Sequence, residues 1–288
     1  MIFAARINAM PAHAAPSAVH KGKRRLLESC AVAAGLMVFA QGAHAQVAAT
    51  PLNPPGGVTI GTDIASRTTT VGVSDPQTII NWVPDDSAPT GGDIEVLQQN
   101  HNWNFNGSGD FVVLNRFVNG AGGALSRRVA LNGNINSSDG SAQSGSIWFY
   151  NAGGILIGTD AMINVGSLVL TTNAIETGDG FFDPATGAIR FRAAPGSVAT
   201  VTVNGRINAN HEFNPGSSYV ALVAPRIAQA GRVQANGSVA YVAAEAADIR
   251  INTGLFDINV ITGTEGGDAI THTGITTGPA HVDGSNYD

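Results

Sequence analysis

Apolar side chains recur along this chain in short runs. They are densest over residues 146–175, SIWFYNAGGILIGTDAMINVGSLVLTTNAI, which holds three runs at 147–150, 155–157 and 161–170. Gly, Asn, Asp and Thr separate the runs, and no charge interrupts them. In the third run Ala161, Ile163 and Val165 alternate with Met162 and Asn164, the two-residue period of a strand with one buried face. The connections Asn151-Ala-Gly-Gly154 and Gly158-Thr-Asp160 are too short for a crossover helix and consist of residues that accept turn geometry. Short strand, tight corner, short strand is the pattern of a chain winding into stacked coils.

Upstream, residues 58–60, 69–73, 78–82, 93–97, 103–105 and 111–114 read as further strands. A Pro/Asp loop over 83–92 has Asp85 and Asp86 at its solvated tip, and 119–126 is a Gly-rich excursion. The unit apolar-Asn-Gly-x-apolar occurs three times, at Leu131-Asn-Gly-Asn-Ile135, Val203-Asn-Gly-Arg-Ile207 and Ala235-Asn-Gly-Ser-Val239. Asn-Gly between apolar positions is the usual mark of a two-residue hairpin. Here the flanking runs are short and lack a clear partner strand. Each unit is therefore read as a corner, with the backbone at positive φ, after which the chain goes on winding. Their unequal spacing assigns no repeat length. Residues 239–251 (VAYVAAEAADIRI) have the Ala content of a helix but β-branched ends, and are read as strand.

Composition agrees with this pattern. The 288 residues include 36 Gly and only 12% charged side chains, far from the Leu/Glu/Lys/Arg richness of a helical protein. The regular apolar recurrence argues against disorder. The expectation is one long all-β domain.

The N-terminus reads as a targeting segment. Lys21, Lys23, Arg24 and Arg25 form a basic region, residues 30–40 an apolar stretch too short to span a bilayer comfortably, and Ala43-His44-Ala45 a small-x-small cleavage site before Gln46. The residues before Lys21 make this an extended signal, or place the translation start at Met10. The expected organisation is a signal peptide over 1–45, a Pro-rich lead-in over 46–57, a β-helical domain over 58–262, and a polar tail or the start of a truncated repeat region over 263–288. Cleavage at Gln46 removes five of fifteen cations and one of twenty-one acids, which leaves a net charge of −10. Both lysines and the single cysteine, Cys30, leave with it. No disulfide can then form, so stability rests on the core and the backbone ladder. An acidic, lysine-free surface argues against nucleic acid and anionic membranes as partners.

Several ordered motifs resemble the N-terminal secretion domain of the filamentous haemagglutinin family, the large exoproteins of two-partner secretion in Gram-negative bacteria. They are Thr78-Ile-Ile-Asn-Trp82, Leu114-Asn-Arg116, Asn151-Ala-Gly-Gly-Ile-Leu-Ile-Gly158 and Ile163-Asn-Val-Gly-Ser-Leu168. The likeness covers 58–175 and continues more weakly through 219–256. The family signature Asn-Pro-Asn-Gly-Ile stands here as Asn151-Ala-Gly-Gly-Ile155, with two of five positions changed. The resemblance implies a right-handed parallel β-helix of the single-stranded, pectin-lyase-like kind with an N-terminal cap. It also implies passage through the general secretory machinery, recognition by a cognate outer-membrane transporter with periplasmic docking modules, and display at the cell surface as an adhesin for a host-cell or surface receptor. Asn115, Arg116, Asn151, Gly153, Gly154 and Ile155 match the family's secretion motif. Trp82, Trp103 and Trp148 are read as core or cap residues in preference to a carbohydrate platform.

A β-helical polysaccharide lyase or hydrolase is the chemical rival. It needs clustered carboxylates, often with a cation and a basic residue, whereas the acids here are scattered. Gly266-Gly-Asp268 is one fragment of a calcium repeat, and His211-Glu212 lacks the second His of a zinc helix. His272, His281 and Asp283 are read as a polar tail instead of a metal site. No catalytic residue, metal or cofactor is expected. A structural surface or biofilm-matrix protein shares the fold and remains the alternative function.

Overall fold

The computed structural model describes residues 49–85, 91–178, 180–265 and 267–278. The expected signal segment with Ala43, Ala45 and Gln46, and also Cys30, Asp86, Gly266, His281 and Asp283, lie outside the described residues. Among the described residues no α-helix forms, and one short 3-10 turn covers Pro215–Ser217.

Strands β1 (Ala49–Pro51) and β2 (Val58–Asp63) precede the winding. The coils then repeat three directions. The first coil is β3 (Thr68–Val73), β4 (Gln77–Pro84) and β5 (Ile94–Leu97); the second is β6 (Asn102–Asn106), β7 (Val112–Phe117) and β8 (Val129–Leu131). The third is β9 (Asn134–Ser138), β10 (Ser146–Tyr150) and β11 (Ile155–Ile157). The fourth begins with β12 (Met162–Val165) and β13 (Ser167–Thr171), leaves the stack for β14 (Ala174–Ile175) and β15 (Ile189–Arg192), and closes with β16 (Thr200–Val203). The fifth is β17 (Arg206–Ala209), β18 (Tyr219–Ala224) and β19 (Arg226–Gln229). The sixth is β20 (Arg232–Ala235) and β21 (Ser238–Asn252), followed by β22 (Leu255–Gly263) and β23 (Ile270–His272); β24 (Ile275–Thr277) begins another.

Equivalent strands stack in parallel into three sheets. Sheet 1 runs β3-β6-β9-β12-β17-β20-β24, sheet 2 β4-β7-β10-β13-β18-β21, and sheet 3 β5-β8-β11-β16-β19-β23. This is a parallel β-helix. Its N-terminal end is capped by antiparallel strands, β2 on β3 and β1 on β4. The prolines of the lead-in are compatible with that edge position for β1, since an edge strand has donors to spare. The sheets continue past Gly263, through β23 and β24.

Inward-facing positions build a continuous core. At the capped end it is aromatic: Trp82 stacks on Trp103 at 5.0 Å, and Phe117 on Phe149 at 6.1 Å. Further along it is aliphatic, with Ile163, Ile207 and Val233 in one column. Each such side chain contributes about 1.5–3 kcal/mol of burial. On the outer face of sheet 1 the columns are polar. Asn136 donates to Asn104 at 3.0 Å and Asn164 to Asn136 at 3.3 Å, an amide ladder that holds neighbouring coils in step.

Sheet 2 is buried on both faces. Its outer face carries Leu114, Trp148, Val169, Ala221 and Val223, which form a second core with Phe181, Ile189 and Phe191. The cover is a separate antiparallel layer of β14, β15, the far half of β21, and β22. The unbroken apolar sequence of β18 (YVALVA), buried throughout, follows from this double burial.

Two expectations need correction. The run 161–170 is two strands, because the chain turns from sheet 1 to sheet 2 at Gly166, where a Cβ would lie 2.6 Å from Gly145 O. The three Asn-Gly units are corners, but their glycines are not at positive φ. Glycine is needed there for close approach: a Cβ on Gly133 would lie 2.4 Å from His101 O, one on Gly205 2.4 Å from Gly158 O and one on Gly237 1.9 Å from Ser218 O. Gly231 and Gly274 are as tight, 2.1 Å from Gly205 O and 2.2 Å from Gly231 O, and with Gly205 they stack coil upon coil between sheets 3 and 1. Two of the Asn-Gly units, at 132–133 and 204–205, occupy that corner, while 236–237 turns from sheet 1 to sheet 2. With the excursion of the fourth coil between them, their spacing is irregular.

Candidate functional site

Asn115 and Arg116 lie on β7, and Asn151 follows β10 on the adjacent coil, with Phe149 opposite Asn115 and Tyr150 opposite Arg116. Asn151, Gly153 and Gly154 form the corner into sheet 3, and Ile155 opens β11. The fold thus gathers the six motif residues at the end of sheet 2 in the second and third coils, but points their side chains in different directions.

Asn115 faces into the coil stack and is 0% exposed. Alternation on β7 puts it between Val113 and Phe117, an apolar position in every other coil. Its Oδ1 accepts from Trp82 Nε1 at 2.9 Å, and its Nδ2 donates to Trp148 O at 3.2 Å. One side chain therefore joins the first, second and third coils. A buried amide so satisfied is tolerated where an unpaired one would cost about 1–3 kcal/mol.

Arg116 faces outward. Its guanidinium donates to Thr177 Oγ1 at 2.7 Å, so its partner lies in the excursion that covers sheet 2. Burial holds its pKa below the ordinary arginine value, with the neighbouring Tyr150 hydroxyl opposing that shift. Burial in turn raises the Tyr150 hydroxyl, which Arg116 partly offsets. Arg116 is thus held in a half-buried contact with the excursion.

Asn151 is also 0% exposed. Its Nδ2 donates to Arg127 O at 2.9 Å on the coil before and to Gly154 O at 2.6 Å across its own corner. Its backbone N–H donates to Thr171 O on the coil after. Asn151 Oδ1 is buried without a partner. Gly153 packs directly against the preceding coil, where a Cβ would lie 2.4 Å from Arg127 O, and Gly154 takes φ +113°. Ile155, fully buried, pairs with Val129 and Val201. Close by, Arg128 grips Asp93 with two hydrogen bonds of 2.7 and 2.8 Å, tying the first two coils at the same edge.

Asn173 belongs to this class of side chain but was not singled out from sequence. It is buried, and its Nδ2 donates to Ala244 O at 2.9 Å and Glu245 O at 3.2 Å, anchoring the outer layer. The available signal was its position, an Asn just beyond a sheet 2 strand, as Asn151 is. Trp82, Trp103 and Trp148 are all core residues, and Trp148 Nε1 donates to Tyr219 Oη at 3.1 Å.

The remaining titratable clusters are structural in geometry. His211 Nε2 meets Asp110 Oδ1 at 2.5 Å, but Nδ1 accepts from the Asn214 N–H at 3.2 Å, which leaves no ring nitrogen for a nucleophile. Asp63, Asp139 and Asp183 each clamp a turn: Asp63 accepts from Ala65 and Ser66, Asp139 from Ser141 and Ala142, and Asp183 from Ala185 and Thr186. His272 meets Thr276 Oγ1 at 2.8 Å and packs edge-on against Tyr241.

No protein-family model matches the sequence, and no curated protein does. Among solved structures the chain is similar to the HMW1 secretion domain from Haemophilus influenzae, with a TM-score of 0.54 and 19% sequence identity over 76% of this chain and 49% of that one. The chain spans about half the length of that structure. At this identity the likeness is one of fold, and the fold the two share is a β-helix.

Proposed function

We propose that this chain is the secretion domain of an exoprotein exported by a two-partner system. In this reading a leader over 1–45 sends it through the general secretory machinery to the periplasm, and the β-helix commits it to a cognate outer-membrane transporter with periplasmic docking modules. The product is displayed at the cell surface as an adhesin. The supporting observation is that the motif residues Asn115 and Asn151, named from sequence alone, are the fully buried side chains that join neighbouring coils, in a fold like that of a known secretion domain. Their side chains are out of reach of a transporter once the coils have formed. The transporter would thus read an unfolded segment, by strand addition, and the motif would act when the chain winds up outside. Each coil templates the next, so folding that starts at the capped end propagates outward and prevents return, without nucleotide hydrolysis at the outer membrane.

Export is tested by producing the full chain in its Gram-negative host with and without a candidate outer-membrane transporter of the two-partner type. Under the proposal, protein reaches the medium or the surface only when the transporter is present, and a strand-breaking Ile163→Pro abolishes that release. Release independent of the transporter, or unchanged by Ile163→Pro, overturns the proposal.

A further inference from the structure

The outer layer ends on β22, and no described residue pairs with the far side of that strand. β21 holds its near side from Leu255 to Gly263, nine residues in all. Thr253 and Gly254, at φ 47° and 75°, make a two-residue turn, so Asn252 and Leu255 close it as a hydrogen-bonded pair. Alternation from that pair aims the backbone groups of Asp257 and Asn259 at β21, and those of Phe256, Ile258 and Val260 at the open side. Natural edges are guarded by lysine, proline or an inward-pointing charge, and β22 has none of these. Its one charge, Asp257, lies on the face away from Phe256, 3.8 Å from Arg250. The ladder bulges only opposite its last residues. What the strand presents is Ile258, Val260 and Ile261, 39%, 49% and 53% exposed. Ile258 and Val260 stand beside the fully buried Ile249 and Ala247, so the apolar face of the layer runs out into solvent here.

We propose that a second copy of this chain covers the edge, β22 pairing antiparallel with the partner's β22 about a two-fold axis through Asn259. The strand is complementary to itself in that register, as an isologous interface requires. All nine residues pair. Ile258 meets the partner's Val260, and both use backbone groups that face the open side. Asn259 meets its own copy, amide to amide. Asp257 meets the partner's Ile261, which keeps the two carboxylates apart, whereas like charges face to face would oppose pairing. The apolar face that stops at Ile258 and Val260 then continues across the axis. A strand from another protein would need none of this symmetry. One strand edge is small, so the dimer belongs to the weak class below ~1,200 Å², with Kd on the order of 10–100 μM. The inference stands apart from the export reading, because it concerns the folded chain alone.

The test is sedimentation velocity of the full chain from about 1 to 300 μM, a range that brackets this affinity. The expected result is a monomer–dimer equilibrium. It should tighten with added salt, because each copy carries a net charge of −6. Ile258→Pro removes an N–H on the open side and leaves the bonds to β21, so it should hold the chain monomeric with an unchanged circular dichroism spectrum. Ile261→Lys sets an ammonium opposite the partner's Asp257 at two symmetric places and should tighten the dimer about 2- to 30-fold. Ile275→Lys, on the last strand of sheet 1, should leave the dimer intact. A chain that stays monomeric throughout overturns the proposal. So does a dimer that survives Ile258→Pro, that Ile261→Lys fails to tighten, or that Ile275→Lys abolishes.

Discussion

Trp82 Nε1 donates to Asn115 Oδ1 at 2.9 Å inside the coil stack, and so joins the first coil to the second across the core. Asn115→Leu keeps the volume but strands the indole N–H and Trp148 O, at an expected cost of about 2–4 kcal/mol in urea unfolding. Trp82→Phe removes the donor together with part of the stack on Trp103, a packing loss that the double variant shares. The double variant should recover about 1–2 kcal/mol relative to the sum of the two single losses. Strictly additive losses would show that the bond contributes nothing.

The glycine corner between sheets 3 and 1 makes a sharper claim. Gly231→Ala places a methyl group 2.1 Å from Gly205 O and Gly205→Ala one 2.4 Å from Gly158 O, where the obstacle is backbone and cannot swing away. Each should cost about 1–3 kcal/mol or more. Gly216→Ala meets nothing within 4 Å and should stay within about 0.5 kcal/mol of the parent. Equal effects at the three positions would remove close approach as the reason for these glycines.

Acid should loosen the turns before it reaches the core. Hydrogen bonds to Ser66, Ala142 and Thr186 are the first cause in each case of Asp63, Asp139 and Asp183 titrating below the ordinary value of 3.8. These carboxylates release protons more readily folded than unfolded. Their contribution is therefore complete above pH ~4 and is lost as pH falls through the folded-state values. Unfolding free energy should decline from pH 4 toward pH 2, and the triple variant Asp63→Asn, Asp139→Asn, Asp183→Asn should decline less steeply. An unchanged slope in that variant would rule the clamps out.

Asn151 separates two kinds of motif. Asn151→Ala removes a side-chain donor from Arg127 O and from Gly154 O, which keeps the Val129 N–H, and should cost about 1–3 kcal/mol. Asn151→Asp sets an anion against the same two oxygens and should cost more. If the residue acts by building the corner, export and stability fall together across the two variants. Export lost at full stability would assign Asn151 a direct recognition role.

Much of the coil architecture was legible because each strand buries one face and each corner is short. Alternation at Ile163 and Val165, and turn residues at Asn132-Gly133 and Asn204-Gly205, carry that signal locally. The outer layer was not legible. β14, β15 and β22 owe their place to sheet 2, whose outward residues Trp148 and Val169 look from sequence like ordinary core. Among the motif residues, position could be anticipated from the resemblance, but orientation could not. Nothing local says that Asn115 points inward between Val113 and Phe117, since a polar residue in an alternating strand is expected to face water. The donor that changes this, the Trp82 indole N–H, is supplied by a different coil.

The tight glycine edge also decides where the molecule can be rewritten. Connections at the other two edges already range from the single Gly166 to the long detour between Thr171 and Thr200, and the rungs on either side keep their register. Among the described residues, the edge through Gly205, Gly231 and Gly274 keeps every connection to four residues or fewer. It works as a spine, and ground for inserted loops, epitopes or whole modules lies on the opposite margins where the chain already detours, away from the tight points at Gly153, Gly166 and Gly237.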